Sequence, residues 1–126
     1  MDEKYTILIA DRNSHVRSFL GRELKAEGYQ IRLAENGQQV IHWAYHHEPL
    51  DLIILDPDLP GSDERILFKR LHDRIPSIPV VVHSFQNDDD GDNVHRNDTI
   101  FVEKRGNSVE RLKEVVAEIL LSKRSQ

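Results

Sequence analysis

The stretch from Leu52 to Gly61, LIILDPDLPG, decides how this chain is read. Four aliphatic residues end abruptly at Asp56, and Pro57, Asp58, Leu59, Pro60 and Gly61 follow. A short, unbroken aliphatic run bounded by turn residues fits a strand covered on both faces, as in the middle of a parallel sheet. Proline cannot donate to a strand ladder, so the prolines keep the following loop open. The stretch therefore poses a question: why does a carboxylate stand at the tip of a buried strand?

Similar runs recur on either side. Tyr5–Ala10, Tyr29–Ala34, Leu50–Leu55, Pro79–Ser84 and Thr99–Glu103 read as strands, short and rich in Ile, Val and Leu. Helical spacing lies between them. Val16, Phe19, Leu20, Leu24 and Ala26 mark a first helix, with Gly28 at its stop. Val40, Ile41, Ala44 and Tyr45 mark a second, which should run until Pro49. Ile66, Leu67, Arg70 and Leu71 mark a third, with Ser62 as its N-cap. Val109, Leu112, Val115, Val116, Ile119 and Leu120 mark the last, with Asn107 and Glu110 spaced as a capping box. The order βαβαβαβ, a gap, then βα implies right-handed crossovers and a parallel sheet with helices on both faces. The gap, Gln86 to Asp98, has Val94 as its only aliphatic residue, so the expected fourth crossover helix is degraded or replaced by loop.

With 126 residues the chain has the size of one domain, and residues 1–126 are expected to form it without an output module. The net charge of −5 argues against nucleic acid or an anionic membrane as partner, since both need basic patches. There is no cysteine, hence no disulfide framework or thiolate chemistry. The first residues lack the basic and long apolar regions of a signal peptide, and no run is long enough to span a membrane. The expected location is the cytoplasm.

In open α/β sheets, ligands bind beyond the carboxyl ends of the strands. Those ends carry Asp11-Arg12, Asp56-Pro57-Asp58, His83-Ser84 and Glu103-Lys104. Two acids, a hydroxyl and an amine thus converge on one edge. Two carboxylates and a backbone carbonyl can hold Mg²⁺. A carboxylate can also attack phosphorus to form an aspartyl phosphate, with the ammonium and hydroxyl stabilising the transferring group. Asp56, at the end of the most apolar strand, is the nucleophile candidate.

The segments ILIADRN, LIILDPDLPGSD, PVVVHS and FVEK, in this order and spacing, resemble the receiver domain of bacterial response regulators over essentially the whole chain. The resemblance implies a doubly wound, flavodoxin-like sheet of strand order 2-1-3-4-5. It also implies a phosphoryl group accepted from a histidine kinase or phosphotransfer protein, and a signal passed to a downstream protein or a homodimer partner. By position, Asp56 resembles the phosphoacceptor, Asp11 the metal-binding acid and Asp58 the residue whose carbonyl binds the metal. Ser84 resembles the switch hydroxyl, Lys104 the conserved-type lysine and Phe101 the switch aromatic. External turnover is not implied, only self-phosphorylation and slow dephosphorylation.

Three departures modulate this picture. Arg12 stands where the family usually carries a second acid, and arginine cannot ligate a metal, so Mg²⁺ should bind weakly. Phe85 replaces a small residue and narrows access to the site. Arg105 replaces a proline and removes an expected cis bond. These departures lean toward a pseudo-receiver, a binding module that works without phosphate. A phosphatase of the haloacid dehalogenase type shares the paired aspartates. However, Pro60 stands where that family wants Thr or Val, and the strand is third rather than first. His42 and His46, with His47 and Glu48, have a spacing that can hold zinc but read as a solvated helix face. The aspartates at 88–90 and 92 lack the downstream glutamate of a calcium loop.

Overall fold

The structure is a computed structural model that describes residues 4–61, 63–85 and 99–124. Five strands and four helices follow in the order β1 (Thr6–Ala10), α1 (Ser14–Ala26), β2 (Gln30–Ala34), α2 (Gly37–Ala44), β3 (Leu52–Leu55), α3 (Glu64–Asp73), β4 (Val80–Ser84), β5 (Thr99–Glu103) and α4 (Ser108–Arg124). The strands form one sheet in the order β2-β1-β3-β4-β5, and every pairing is parallel. The expected doubly wound sheet is thus formed. The segment between β4 and β5, where the degraded helix is expected, lies outside the described residues, as does the aspartate run.

Strand side chains alternate between the two faces, and the core divides accordingly. Leu8, Ile53, Leu55, Val80 and Val82 pack against Val40 and Ala44 of α2 and Leu67 and Leu71 of α3. Ile7, Ile9, Leu52, Ile54 and Val81 pack against Leu20 and Leu24 of α1 and Leu112, Val115, Val116 and Leu120 of α4. The whole of β1, β3 and β4 is buried, as the unbroken runs require, whereas β2 and β5 are partly exposed edges. Burying one such aliphatic side chain contributes about 1.5–3 kcal/mol.

Helix ends differ from the sequence reading in three places. The α3 cap is Asp63, whose side chain accepts the Arg65 N–H at 2.8 Å; Ser62, the expected cap, lies outside the described residues. The α4 capping box is not made: the Asn107 carbonyl accepts the Glu110 N–H at 3.3 Å, and the Glu110 carboxylate instead pairs with Lys113. Helix α2 stops at Ala44, well before Pro49, because the Arg74 guanidinium takes the Ala44 carbonyl and the Tyr45 hydroxyl donates to the Arg70 carbonyl at 2.6 Å. A cation at a helix C-terminus satisfies the carbonyls left without an intrahelical donor. Phe19 and Ile66, expected on buried helix faces, remain largely exposed.

Candidate functional site

The ladder extends one residue past β1 and β3 and carries two acids with it. The Asp11 N–H donates to the Ala34 carbonyl at 3.1 Å and the Asp56 N–H to the Ala10 carbonyl at 2.8 Å. Both residues are almost fully buried, Asp11 at 2% exposure and Asp56 at 1%. Backbone donors meet their oxygens. Asp11 Oδ1 accepts the Asn13 N–H at 2.9 Å, Asp56 Oδ1 the Asp58 N–H at 3.0 Å and Asp56 Oδ2 the Arg12 N–H at 3.2 Å. The turn after each strand is therefore folded around the carboxylate that precedes it. Asn13 goes on to cap α1 through the His15 and Val16 N–H groups, which fixes the Asp11–Asn13 turn to the helix.

Cations complete the cluster. Lys104 Nζ lies 2.9 Å from Asp11 Oδ2 and 3.9 Å from Asp56 Oδ2. The Lys104 N–H donates to the Ser84 carbonyl at 2.7 Å, which ties the end of β5 to the end of β4. The Phe85 ring lies 5.1 Å from the same ammonium and is mostly exposed, so it roofs Lys104 from the solvent side. Arg12 Nε sits 3.5 Å from Asp56 Oδ2 and its Nη2 3.6 Å from Asp58 Oδ2. Arg17 Nη1 donates to the Asp11 carbonyl at 2.7 Å. The fold thus brings Asp11, Arg12, Asp56, Asp58 and Lys104 into direct contact, with Ser84 and Phe85 joined through Lys104. Phe101 lies on β5, three residues before Lys104. It stands opposite Val82 and packs on the layer formed by α2 and α3.

Two neighbours of the cluster were given no role by the sequence reading. His83, only 3% exposed, has Nε2 3.0 Å from Ser108 Oγ, joining β4 to the first residue of α4. Its Nδ1 has no partner among the described residues. Burial, followed by the charge of Lys104, lowers its pKa to about 4 against an opposing pull from Asp56. The signal was a histidine within an aliphatic strand. Arg17 was legible only as a cation one turn into the helix after Asp11. On the rim, partial burial and the neighbouring Asp58 and Asp63 raise the Glu64 pKa.

The hard oxygens of Asp11 and Asp56 and the Asp58 carbonyl are donors of the kind Mg²⁺ takes. They fit such an ion in chemistry, with Arg12 in competition for the Asp56 oxygen. At the far end of α2, His46, His47 and Glu48 bring ligand atoms within 4.8 Å of one another, and Glu48 pairs with Arg32 at 3.5 Å. Helix α2 ends at Ala44, so His46 lies beyond it, yet the His42 and His46 rings still meet with centroids 5.2 Å apart.

The model of the response regulator receiver domain family matches residues 7–117. The transcriptional regulator NtrC of Bradyrhizobium sp. is 34% identical over 82 residues, 65% of this chain and 17% of NtrC. The sensor protein EvgS of Escherichia coli is 34% identical over 80 residues, 64% of this chain and 7% of EvgS. The chain therefore spans less than a fifth of these relatives. The response regulator TrrA of Thermotoga maritima, solved with Mg²⁺ and BeF, is 27% identical with a TM-score of 0.78, covering 91% of this chain and 98% of TrrA. TrrA has also been solved in complex with the histidine kinase ThkA. No helix among the described residues is long and apolar enough to cross a membrane. The chain, with its acids at the strand tips and a lysine between them, belongs to the receiver domains of response regulators, the signalling modules of two-component phosphorelays.

Proposed function

We propose that this receiver accepts a phosphoryl group on Asp56 from a histidine kinase or a phosphotransfer protein. The observation that carries the reading is the seat of Asp56, buried at the tip of β3 with Lys104 and Arg12 at one of its oxygens. In the transfer, a carboxylate oxygen of Asp56 attacks phosphorus while the donor's bond to phosphorus breaks. The Asp58 and Arg12 N–H groups hold the carboxylate in a fixed orientation. Lys104 and Arg12, both within reach of Asp56 Oδ2, would meet the negative charge that gathers on the phosphoryl oxygens, joined by the hydroxyl of Ser84 at the end of β4. Asp11, Asp56 and the Asp58 carbonyl would hold Mg²⁺, weakly because of Arg12, and a dication there would supply further positive charge. The Mg²⁺–BeF complex of TrrA supports this reading.

Ser84 and Phe101 would then change position and pass the state of Asp56 to a downstream protein or to a second copy of the domain. The TrrA–ThkA complex supports a kinase as donor. Apart from self-phosphorylation and slow self-dephosphorylation, no external substrate is turned over, and the cytoplasm is the expected setting. The test is phosphotransfer from a radiolabelled histidine kinase. Wild-type protein should acquire label, and Asp56→Asn should acquire none. Undiminished labelling of Asp56→Asn would refute the assignment, whereas an unlabelled wild type would favour a binding module that works without phosphate.

A further inference from the structure

We infer that Arg12 takes the electrostatic role of a dication at Asp56, so that phosphoryl acceptance by this domain does not require a metal. The inference rests on the proposal that Asp56 is the acceptor. Its first support is position. The Arg12 N–H donates to Asp56 Oδ2 at 3.2 Å, which places the root of the side chain at the acceptor carboxylate. From there Nε lies 3.5 Å from Asp56 and Nη2 3.6 Å from Asp58, so the guanidinium bridges the acceptor carboxylate and that of Asp58.

The second support is charge. Three carboxylates, Asp11, Asp56 and Asp58, meet two cations, Arg12 and Lys104, while Arg17 donates to the Asp11 main-chain carbonyl. These ion pairs leave the cluster with a single negative charge, and a dication would turn it positive in a site where two of the acids are buried and already paired. Such an excess is disfavoured where solvent cannot screen it. The third support is chemistry. A guanidinium is charged at every accessible pH and offers a planar fork of N–H donors that suits phosphoryl oxygens. The Arg12 side chain is 47% exposed, so it lies on the side from which a phosphodonor arrives. With acetyl phosphate, a lone pair on the Asp56 carboxylate forms the new O–P bond. The bond from phosphorus to the acetyl oxygen breaks, its electron pair leaves with acetate, and no proton needs to move. The charge gathering on the phosphoryl oxygens meets Arg12 and Lys104, both already in place.

The experiment incubates wild type, Arg12→Asp and Arg12→Gln with acetyl phosphate, in Mg²⁺ or in excess EDTA, and follows Asp56 phosphorylation by intact mass. Binding of Mn²⁺ is read separately by electron paramagnetic resonance. Wild type should be labelled at comparable rates in Mg²⁺ and in EDTA. In EDTA, Arg12→Gln should be slower by about a hundredfold, the scale of losing one preorganised charge donor. Arg12→Asp should be labelled only with Mg²⁺ and should bind Mn²⁺ more tightly than wild type. Label on wild type only in Mg²⁺, or wild-type Mn²⁺ affinity equal to that of Arg12→Asp, would overturn the inference and leave Asp56 as acceptor. An unlabelled wild type beside an Arg12→Asp protein labelled in Mg²⁺ would also overturn it, showing Arg12 to be a block. No label on any of the three would defeat the acceptor assignment and the inference with it.

Discussion

Lys104 and Arg12 meet the same oxygen of Asp56, one from within the protein and one from the solvent side. This arrangement sets the metal chemistry: Arg12→Asp should tighten Mg²⁺ binding at least tenfold, which corresponds to about 1.4 kcal/mol. Calorimetric titration at fixed salt gives the answer, and equal affinities would show that Arg12 does not oppose the ion. His83 makes a pH-dependent contribution. Above its ordinary pKa of 6.5 the imidazole is neutral whether the chain is folded or not. Between 6.5 and about 4 the unfolded chain takes up a proton that the folded one refuses, so stability falls with falling pH; below about 4 the loss levels off. Down to about pH 4.5 the loss amounts to about 2 kcal/mol. The stability lost between neutral pH and about pH 4.5 should therefore be smaller by that amount in His83→Leu, measured by urea unfolding; identical losses would exclude His83 as the source. At this scale the sequence exposed Asp11 and Asp56, because each stands where an apolar run stops, and Asp58 and Lys104, just beyond such ends, join them in the ion-pair cluster. The Ser108 partner of His83 was hidden, since 25 residues separate the two and only the sheet brings them together.

The elements are bounded by turns whose backbone can be tested directly. Gly28 and Gly61 both adopt positive φ, at 101° and 91°, but their surroundings differ. A Cβ at Gly28 meets nothing within 4 Å, whereas one at Gly61 would lie 3.3 Å from the Asn36 Cβ. Gly28→Ala should cost about 1 kcal/mol, the conformational penalty alone. Gly61→Ala should cost more, because Asn36 caps α2 and the Gly37 N–H donates to the Pro60 carbonyl at 2.9 Å. Equal urea midpoints for the two variants would show that the turn after β3 yields freely. Gly28 was readable as a helix stop because that geometry follows from residue type. The end of α2 was not, since Arg74, thirty residues downstream of Ala44, supplies the terminating contact. The Asn107–Glu110 pair had the right spacing for a capping box, yet Lys113 offers Glu110 an opposite charge that the box does not. Local patterns thus located the elements, and long-range partners set several of their ends.

Across the whole molecule, two apolar layers share one sheet, and β1, β3 and β4 contribute to both. Coupling through shared strands favours a single cooperative transition. Leu112, a fully buried residue of α4, lies on the opposite face from the layer to which Trp43 belongs. Leu112→Ala should cost about 2–5 kcal/mol. It should also shift the Trp43 fluorescence and far-ultraviolet dichroism midpoints together. Separated midpoints would show that the layers unfold independently. The parallel, doubly wound arrangement was legible because alternating strand and helix patterns admit few topologies. That same topology carries acids, a hydroxyl and an amine from four distant segments to one edge, where the chemistry is assigned to Asp56. The most direct test of that assignment is reductive trapping of the phosphorylated protein followed by peptide mapping. The modified residue should be Asp56 alone; a modification at Asp58 or Asp63, with Asp56 intact, would contradict the account.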